Sequence, residues 1–72
     1  MVDLEKLKSV IKDSGMTVVS IAAKSGIERA TLYNRLSGTV GEFTVSEIER
    51  ISNVLQLDTQ TREEIFFADE VH

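Results

Sequence analysis

The residue types that catalyse reactions are few in this chain, and their spacing is unsuited to catalysis. Two pairs of adjacent carboxylates, Glu63 with Glu64 and Asp69 with Glu70, would point in different directions on a helix and cannot converge on one substrate. His72 is the only histidine, so the serines have no internal general base. The absence of cysteine excludes a thiolate nucleophile, a disulfide and a His/Cys metal cage, and no glycine-rich phosphate loop occurs. We therefore expect no enzyme activity, no small-molecule substrate, no cofactor and no metal site.

The most informative pattern lies in residues 17–37. Ala22 stands inside a short segment with small or apolar side chains, Gly26 follows four residues later, and Ile27 comes directly after the glycine. Alanine lets two helices approach closely, glycine permits a tight turn, and Ile27 with Leu32 can anchor the second helix on the first. The spacing predicts a helix-turn-helix (HTH) unit over residues 17–37, with the outer face of its second helix left exposed.

Glycines and capping residues divide the chain into five short helices, because proline is absent and no alternating β pattern occurs. The run Thr44-Val45-Ser46-Glu47 has the pattern of a capping box at the start of a helix. We predict an all-α fold in one domain over residues 1–72, with a frayed tail over residues 69–72. The predicted helical segments lie between Asp3 and Gly15, over 18–25, over 28–37, after Thr44, and after Asp58 or Thr59.

The aromatic pair Phe66 and Phe67 lies near the end of the chain, where we expect one side chain in the core and one at the surface. We expect Ile65 or Phe66 to close the core, and the neighbour that faces outward to contribute to a protein interface. The last helix is the main surface from which the chain could build a homodimer, and the oligomeric state stays open.

The net charge of −4 argues at first against a nucleic-acid partner, whose phosphates favour a basic surface. The charge is unevenly divided: residues 1–38 hold six Lys and Arg against four Asp and Glu, for a net +2, whereas residues 39–72 hold two against eight, for a net −6. DNA is therefore not excluded. No apolar stretch approaches the roughly 20 residues that span a bilayer, and the first residues do not resemble a signal peptide. We expect a cytoplasmic protein without a membrane partner.

The HTH pattern and its flanks resemble the small phage-repressor and Cro-type HTH family, the lambda-repressor-like domains, over residues 4–67. The resemblance rests on the Ala22/Gly26/Ile27/Leu32 framework, the Arg-Ala-Thr-Leu opening of the third helix and the Leu-Ser-Gly sequence that ends it. The fourth helix begins with Glu-Phe-Thr-Val-Ser-Glu-Ile, which is similar to small regulators of Gram-positive phages and prophages. The resemblance implies a lambda-repressor-like fold in a protein of a bacterial host cell.

In that family the third helix enters the major groove, while the start of helix two and the loop after helix three contact phosphates. The resemblance places Arg29 and Ala30 at the base edges, Tyr33 and Asn34 one turn further on, and Thr31 and Ser37 nearer the backbone. Arginine can bind guanine bidentately and asparagine can bind adenine, each with about 1–3 kcal/mol of discrimination. The implied DNA-binding set is Arg29, Ala30, Thr31, Tyr33, Asn34, Ser37, Thr17 and Lys24.

Some positions depart from the family pattern. Val18 stands where relatives commonly place a glutamine that binds phosphate, the loop 39–42 has no Lys or Arg, and Arg35 replaces a residue that is often apolar. The cations left to neutralise phosphates are Lys24, Arg29 and Arg35, with the lysines of the first helix. We therefore expect a single chain to bind operator DNA weakly.

The resemblance implies a transcription regulator of a phage lysis–lysogeny switch that acts at operator DNA, together with the phage repressor, or both. The alternative is an antirepressor, a modulator of repression that binds the repressor's DNA-binding domain and has little DNA binding of its own. Its acidic half could bind the basic face of that domain through Glu42, Glu47 and Glu49. Taken singly, these acids are also what a small soluble helical protein needs for solubility.

Overall fold

The computed structural model describes residues 2–38 and 41–68, and these ranges contain five α-helices and no β-strand. The predicted all-α architecture is confirmed. The predicted tail 69–72, together with Thr39 and Val40 of the predicted loop, lies outside the described residues. The helices are α1 Leu4–Ser14, α2 Val18–Ser25, α3 Arg29–Ser37, α4 Val45–Leu55 and α5 Thr59–Phe66.

Local capping explains where most helices begin. Four of them start after a residue whose side chain accepts a hydrogen bond from a first-turn backbone N–H, namely Asp3, Thr17, Thr44 and Asp58. The predicted capping box of α4 is confirmed: the Glu47 N–H donates to Thr44 Oγ1 over 3.1 Å, and the Thr44 N–H donates to Glu47 Oε1 over 3.0 Å. Both partners are thereby fixed at the start of α4.

The HTH helices differ in how they begin. Thr17 and Ser20 form a second capping box at α2, which the sequence analysis missed because serine stands where glutamate or glutamine is usual. α3 begins at Arg29, one residue later than predicted, and Glu28 is an N-cap without a side-chain hydrogen bond. The third helix therefore depends on tertiary packing more than the second does.

The core receives one fully buried aliphatic side chain from each helix. These side chains are Leu7, Ile21, Leu32, Ile51 and Ile65, each with at most 1% of its surface exposed. Removing a side chain of this size from water stabilises a fold by about 1.5–3 kcal/mol. α2 lies at the centre and packs against α3 and α4, while α1 packs against α5.

The two outer helices are joined by polar contacts as well. The Asp3 N–H donates to the Ile65 carbonyl over 2.7 Å, and Lys6 Nζ contacts Glu64 Oε1 over 2.6 Å. The Lys6 and Glu64 side chains are 39% and 33% exposed, so this pair contributes little to stability. The backbone contact is the one that ties the start of α1 to the end of α5.

The C-terminal aromatic residues lie closer to the core than the sequence indicated. Ile65 and Phe66 are both buried, and the Phe66 ring meets Phe43 edge-on with 5.5 Å between centroids. Phe67 is half-buried against the core. Phe67, the aromatic residue left to face outward, therefore exposes only part of its side chain to a protein partner.

Candidate nucleic-acid interface

The turn between α2 and α3 is held by short-range hydrogen bonds. Gly26 adopts a left-handed φ of +76°, and its N–H donates to the Ala22 carbonyl over 3.0 Å. The buried Ser25 hydroxyl donates to the same carbonyl over 3.3 Å and accepts from the Ile27 N–H over 3.2 Å. A β-carbon at position 26 would make the left-handed conformation costly, which is why glycine is needed at this turn.

The predicted anchors of the second HTH helix are buried. Ala22, Ile27 and Leu32 are 6%, 7% and 1% exposed, and Leu36 continues the buried stripe of α3 one turn later. α3 is nine residues long, and these two leucines are its buried residues.

The outward side of α3 carries the residues that were predicted to meet bases. Arg29, Ala30, Tyr33 and Asn34 are exposed, and we call these four the recognition face. Tyr33 exposes 51% of its surface. The structure therefore brings together on one helix face a guanidinium, an amide and a phenol, which suit base edges, base stacking and phosphate.

The residues predicted to contact the DNA backbone differ in their exposure and in whether their side chains already form hydrogen bonds. Thr17 and Lys24 are exposed on α2 or at its start, but the Thr17 hydroxyl already accepts the Ser20 N–H. Thr31 is half-buried. Ser37 is exposed, and its hydroxyl donates to the Asn34 carbonyl over 2.8 Å. Lys24 is thus the cation of this group that can approach a phosphate.

An apolar depression beside Arg29 was not predicted from the sequence. Val19 is 46% exposed and, with Ala23, Ile27 and Arg29, lines an open hollow of about 340 Å³ between α2 and α3. Val19 and Ala23 are four residues apart on α2, and that spacing could have shown that they share a helix face. Aliphatic groups at this position suit contact with thymine methyl groups or sugars rather than with phosphates.

Arg35 is held away from the recognition face. Its Nε lies 3.0 Å from Glu47 Oε1 and its Nη2 lies 3.4 Å from Glu47 Oε2, and both side chains are less than a fifth exposed. This corrects the expectation that Arg35 is available to neutralise DNA phosphates. Of the three acidic residues predicted to bind a partner, Glu47 already has two partners within the domain, whereas Glu42 and Glu49 are exposed.

The electrostatic state of Glu47 follows from these contacts. Burial by itself would raise the pKa of this carboxyl, but the Thr44 backbone N–H and the Arg35 guanidinium outweigh burial and hold the pKa below its ordinary value. Glu47 is therefore a carboxylate at neutral pH, and it balances the charge of Arg35 within the domain.

Comparison with known families decides what this arrangement is. The profile of Cro/C1-type HTH DNA-binding domains matches residues 6–61. The chain belongs to this family. No curated protein and no solved structure matches it significantly. As a Cro/C1-type HTH domain the chain is a DNA-binding module of the kind found in transcription regulators, and domains of this family are typically non-enzymatic.

The described residues of this Cro/C1-type domain hold neither a cluster of metal ligands nor a membrane-spanning helix. Within residues 2–38 and 41–68, no three His, Cys, Asp or Glu side chains converge as metal ligands would. None of the helices described is long and apolar enough to cross a membrane.

Proposed function

We propose that this Cro/C1-type domain is a phage regulator of a lysis–lysogeny switch that recognises operator DNA with the outer face of α3. The observation that carries the proposal is the exposure of the recognition face while Leu32 and Leu36 of the same helix are buried in the core. In an HTH protein this is the side that enters the major groove. The phage setting is supported by the similarity of the α4 opening to small phage regulators.

The charges near the recognition face favour weak binding by one chain. Lys24 and Arg29 are the exposed cations of the HTH unit itself, residues 17–37, whereas Arg35 is paired with Glu47. Two cations neutralise too few phosphates for tight binding at physiological salt. A pair of chains on two half-sites about one DNA turn apart would double the contacts, so operator binding is expected to involve a homodimer or a second regulator.

The test is a mobility-shift assay at low salt with duplexes selected from a random library by the wild-type chain. Arg29→Ala should weaken binding to the selected duplex by about 5- to 150-fold, which corresponds to the 1–3 kcal/mol of a bidentate base contact. Arg62→Ala is the matched control, because Arg62 lies on α5, outside the HTH unit, and α5 packs on α1. Equal affinities of wild type and Arg29→Ala would refute recognition by Arg29, and no shift by the wild type would refute direct DNA binding.

A second candidate is the antirepressor, which would bind the repressor's DNA-binding domain. It is favoured by the scarcity of cations beside the recognition face and by the exposed carboxylates of Glu42 and Glu49. A basic DNA-binding face is complementary to such a surface, and long-range attraction would speed the encounter.

This candidate is tested with the repressor encoded beside the chain's own gene. Glu49→Lys should weaken the complex in calorimetry at low salt, with Glu5→Lys on α1 as a control of equal charge change. Glu47→Lys is a poorer test, because it would also remove the capping box and the ion pair with Arg35. Equal affinities of the Glu49→Lys and Glu5→Lys variants would refute a role for the acidic surface.

A further inference from the structure

Arg35 occupies an unusual place on α3. It lies about 160° around the helix from Tyr33 and about 100° from Leu36, as follows from 3.6 residues per turn. It is therefore neither on the recognition face nor in the middle of the buried stripe. Its guanidinium meets Glu47 at two points, Nε to Oε1 over 3.0 Å and Nη2 to Oε2 over 3.4 Å.

The carboxylate of Glu47 is itself fixed. Its Oε1 accepts the Thr44 N–H over 3.0 Å in the capping box, so the atom that receives Arg35 Nε also closes the first turn of α4. A bidentate arginine–carboxylate pair has a fixed relative orientation, unlike the single contact that a lysine makes. The end of α3 and the start of α4 are thus joined through one planar contact.

The connection between the two helices also lies against Arg35. A β-carbon built on Gly41 would collide with Arg35 Nη1, and Gly41 has a left-handed φ of +70°. Glycine at this position therefore leaves room for the guanidinium between the connection and the two helices.

Two buried leucines alone do not fix the rotation of α3 about its own axis. Leu32 and Leu36 are four residues apart and form one line along the helix, and a helix held along one line can roll about it. The contact of Arg35, about 60° around the helix from Leu32 and about 100° from Leu36, opposes the roll. Side chains that read bases must stay within about 0.5 Å and 10–20° of their productive positions, so such a roll would misplace the recognition face.

We propose that Arg35 is a positioning residue, which sets the rotation of α3 through its two-point contact with Glu47 and thereby aligns Arg29 and Asn34 for base recognition. The proposal rests on the proposed DNA recognition by α3. Arg35 itself makes no contact with DNA in this mechanism, and the family resemblance did not assign it a role.

The test compares Arg35→Met, Arg35→Lys and Glu47→Gln, because glutamine at this position keeps a capping box. Binding is measured to the duplex selected by the wild type and to an unrelated duplex, over a series of salt concentrations. All variants are first shown to be folded at the assay temperature by circular dichroism. Glu64→Gln is the matched control, since it breaks the ion pair between Lys6 and Glu64 on the outer helices.

Arg35→Met and Glu47→Gln should each reduce the preference for the selected duplex by about tenfold. The preference of Arg35→Lys should lie between that of the wild type and that of Arg35→Met. The double variant should lose little more than either single one, as expected for two residues acting as a unit. The salt slope should stay unchanged in all of them, because no phosphate contact is lost.

Three results would overturn this inference. A salt slope lowered by about 0.9 in Arg35→Met would make Arg35 a phosphate ligand. An unchanged preference in Glu47→Gln, or an equal loss in Glu64→Gln, would show that the ion pair does not act on recognition. If the wild type selects no duplex, the proposed DNA recognition fails and this inference fails with it. If the wild type selects a duplex and the variants prefer that duplex to the same degree, only this inference fails.

Discussion

The dependence of DNA binding on salt follows from the count of cations beside the recognition face. When a protein neutralises Z phosphates on duplex DNA, the logarithm of the binding constant falls with the logarithm of salt concentration at a slope of about −0.9Z. Lys24 on α2 and Arg29 on α3 are the exposed cations of the HTH unit, and Arg35 is paired with Glu47. Uncharged donors that contact phosphates do not enter this slope.

If both cations displace counterions, Lys24 at a phosphate and Arg29 in the groove, the slope is about −1.8 for one chain and about −3.6 for two chains on two half-sites. Raising the salt from about 50 to 200 mM should then weaken binding about twelvefold for one chain and about 150-fold for two. Lys24→Ala should reduce the slope by about 0.9 per chain and weaken binding to every sequence alike. Lys12→Ala on α1 tests the lysines of the first helix, and the count of two cations per chain requires that it leave the slope unchanged.

Fluorescence anisotropy with a labelled duplex at six or more salt concentrations measures these slopes directly. Sedimentation of the same complex gives the number of chains, which decides between the two expected values. A slope steeper than about −5, or a slope lowered by Lys12→Ala, would refute the count of two cations per chain. An unchanged slope in Lys24→Ala would remove Lys24 from the interface.

Three further predictions concern stability. Because the Glu47 pKa is lowered in the folded chain, the stabilisation by the ionised Glu47 carboxylate is present above the ordinary pKa of 4.5 and is lost as pH falls through the folded pKa. Glu47→Gln has no carboxylate here to protonate, so urea unfolding should show a smaller loss of stability below about pH 4.5 in this variant than in the wild type. Equal losses in the two proteins would contradict this. Leu32→Ala should cost about 2–5 kcal/mol in the same assay, whereas the half-buried Leu57→Ala should cost less. Gln56 ends α4 with a left-handed φ of +55°, a conformation that glycine adopts without strain. Gln56→Gly should therefore raise the free energy of unfolding by about 1 kcal/mol and Tm by about 4–8 °C. A lowered Tm would show that the Gln56 side chain makes a compensating contact.

The fold could be predicted from the sequence because its signals are local. Gly26 needs a left-handed conformation, and Thr44 with Glu47 forms a cap across three residues, so both act within one turn of helix. The HTH unit is itself local, because Ile27 and Leu32 pack on a helix that ends a few residues earlier. The spacing of these residues in the sequence is therefore nearly their spacing in space.

The parts that escaped prediction depend on long-range geometry. Arg35 and Glu47 are 12 residues apart on two helices, and their contact requires a particular course of the chain between them. Phe43 meets Phe66 across the domain for the same reason. Charge counting alone assigned Arg35 to phosphate and Glu47 to a partner, because a sequence shows which charges exist but not which of them are already paired.

The core with one fully buried side chain from each helix has a consequence for how the domain can be regulated. Because every helix closes part of the same small interior, none can detach without exposing the other four to water, and unfolding is expected to be all-or-none. Amides in the middle of α3 are then expected to exchange only through the same unfolding that exposes the core. Cleavage within α5, far from any base, would switch off α3 as effectively as a change in α3 itself.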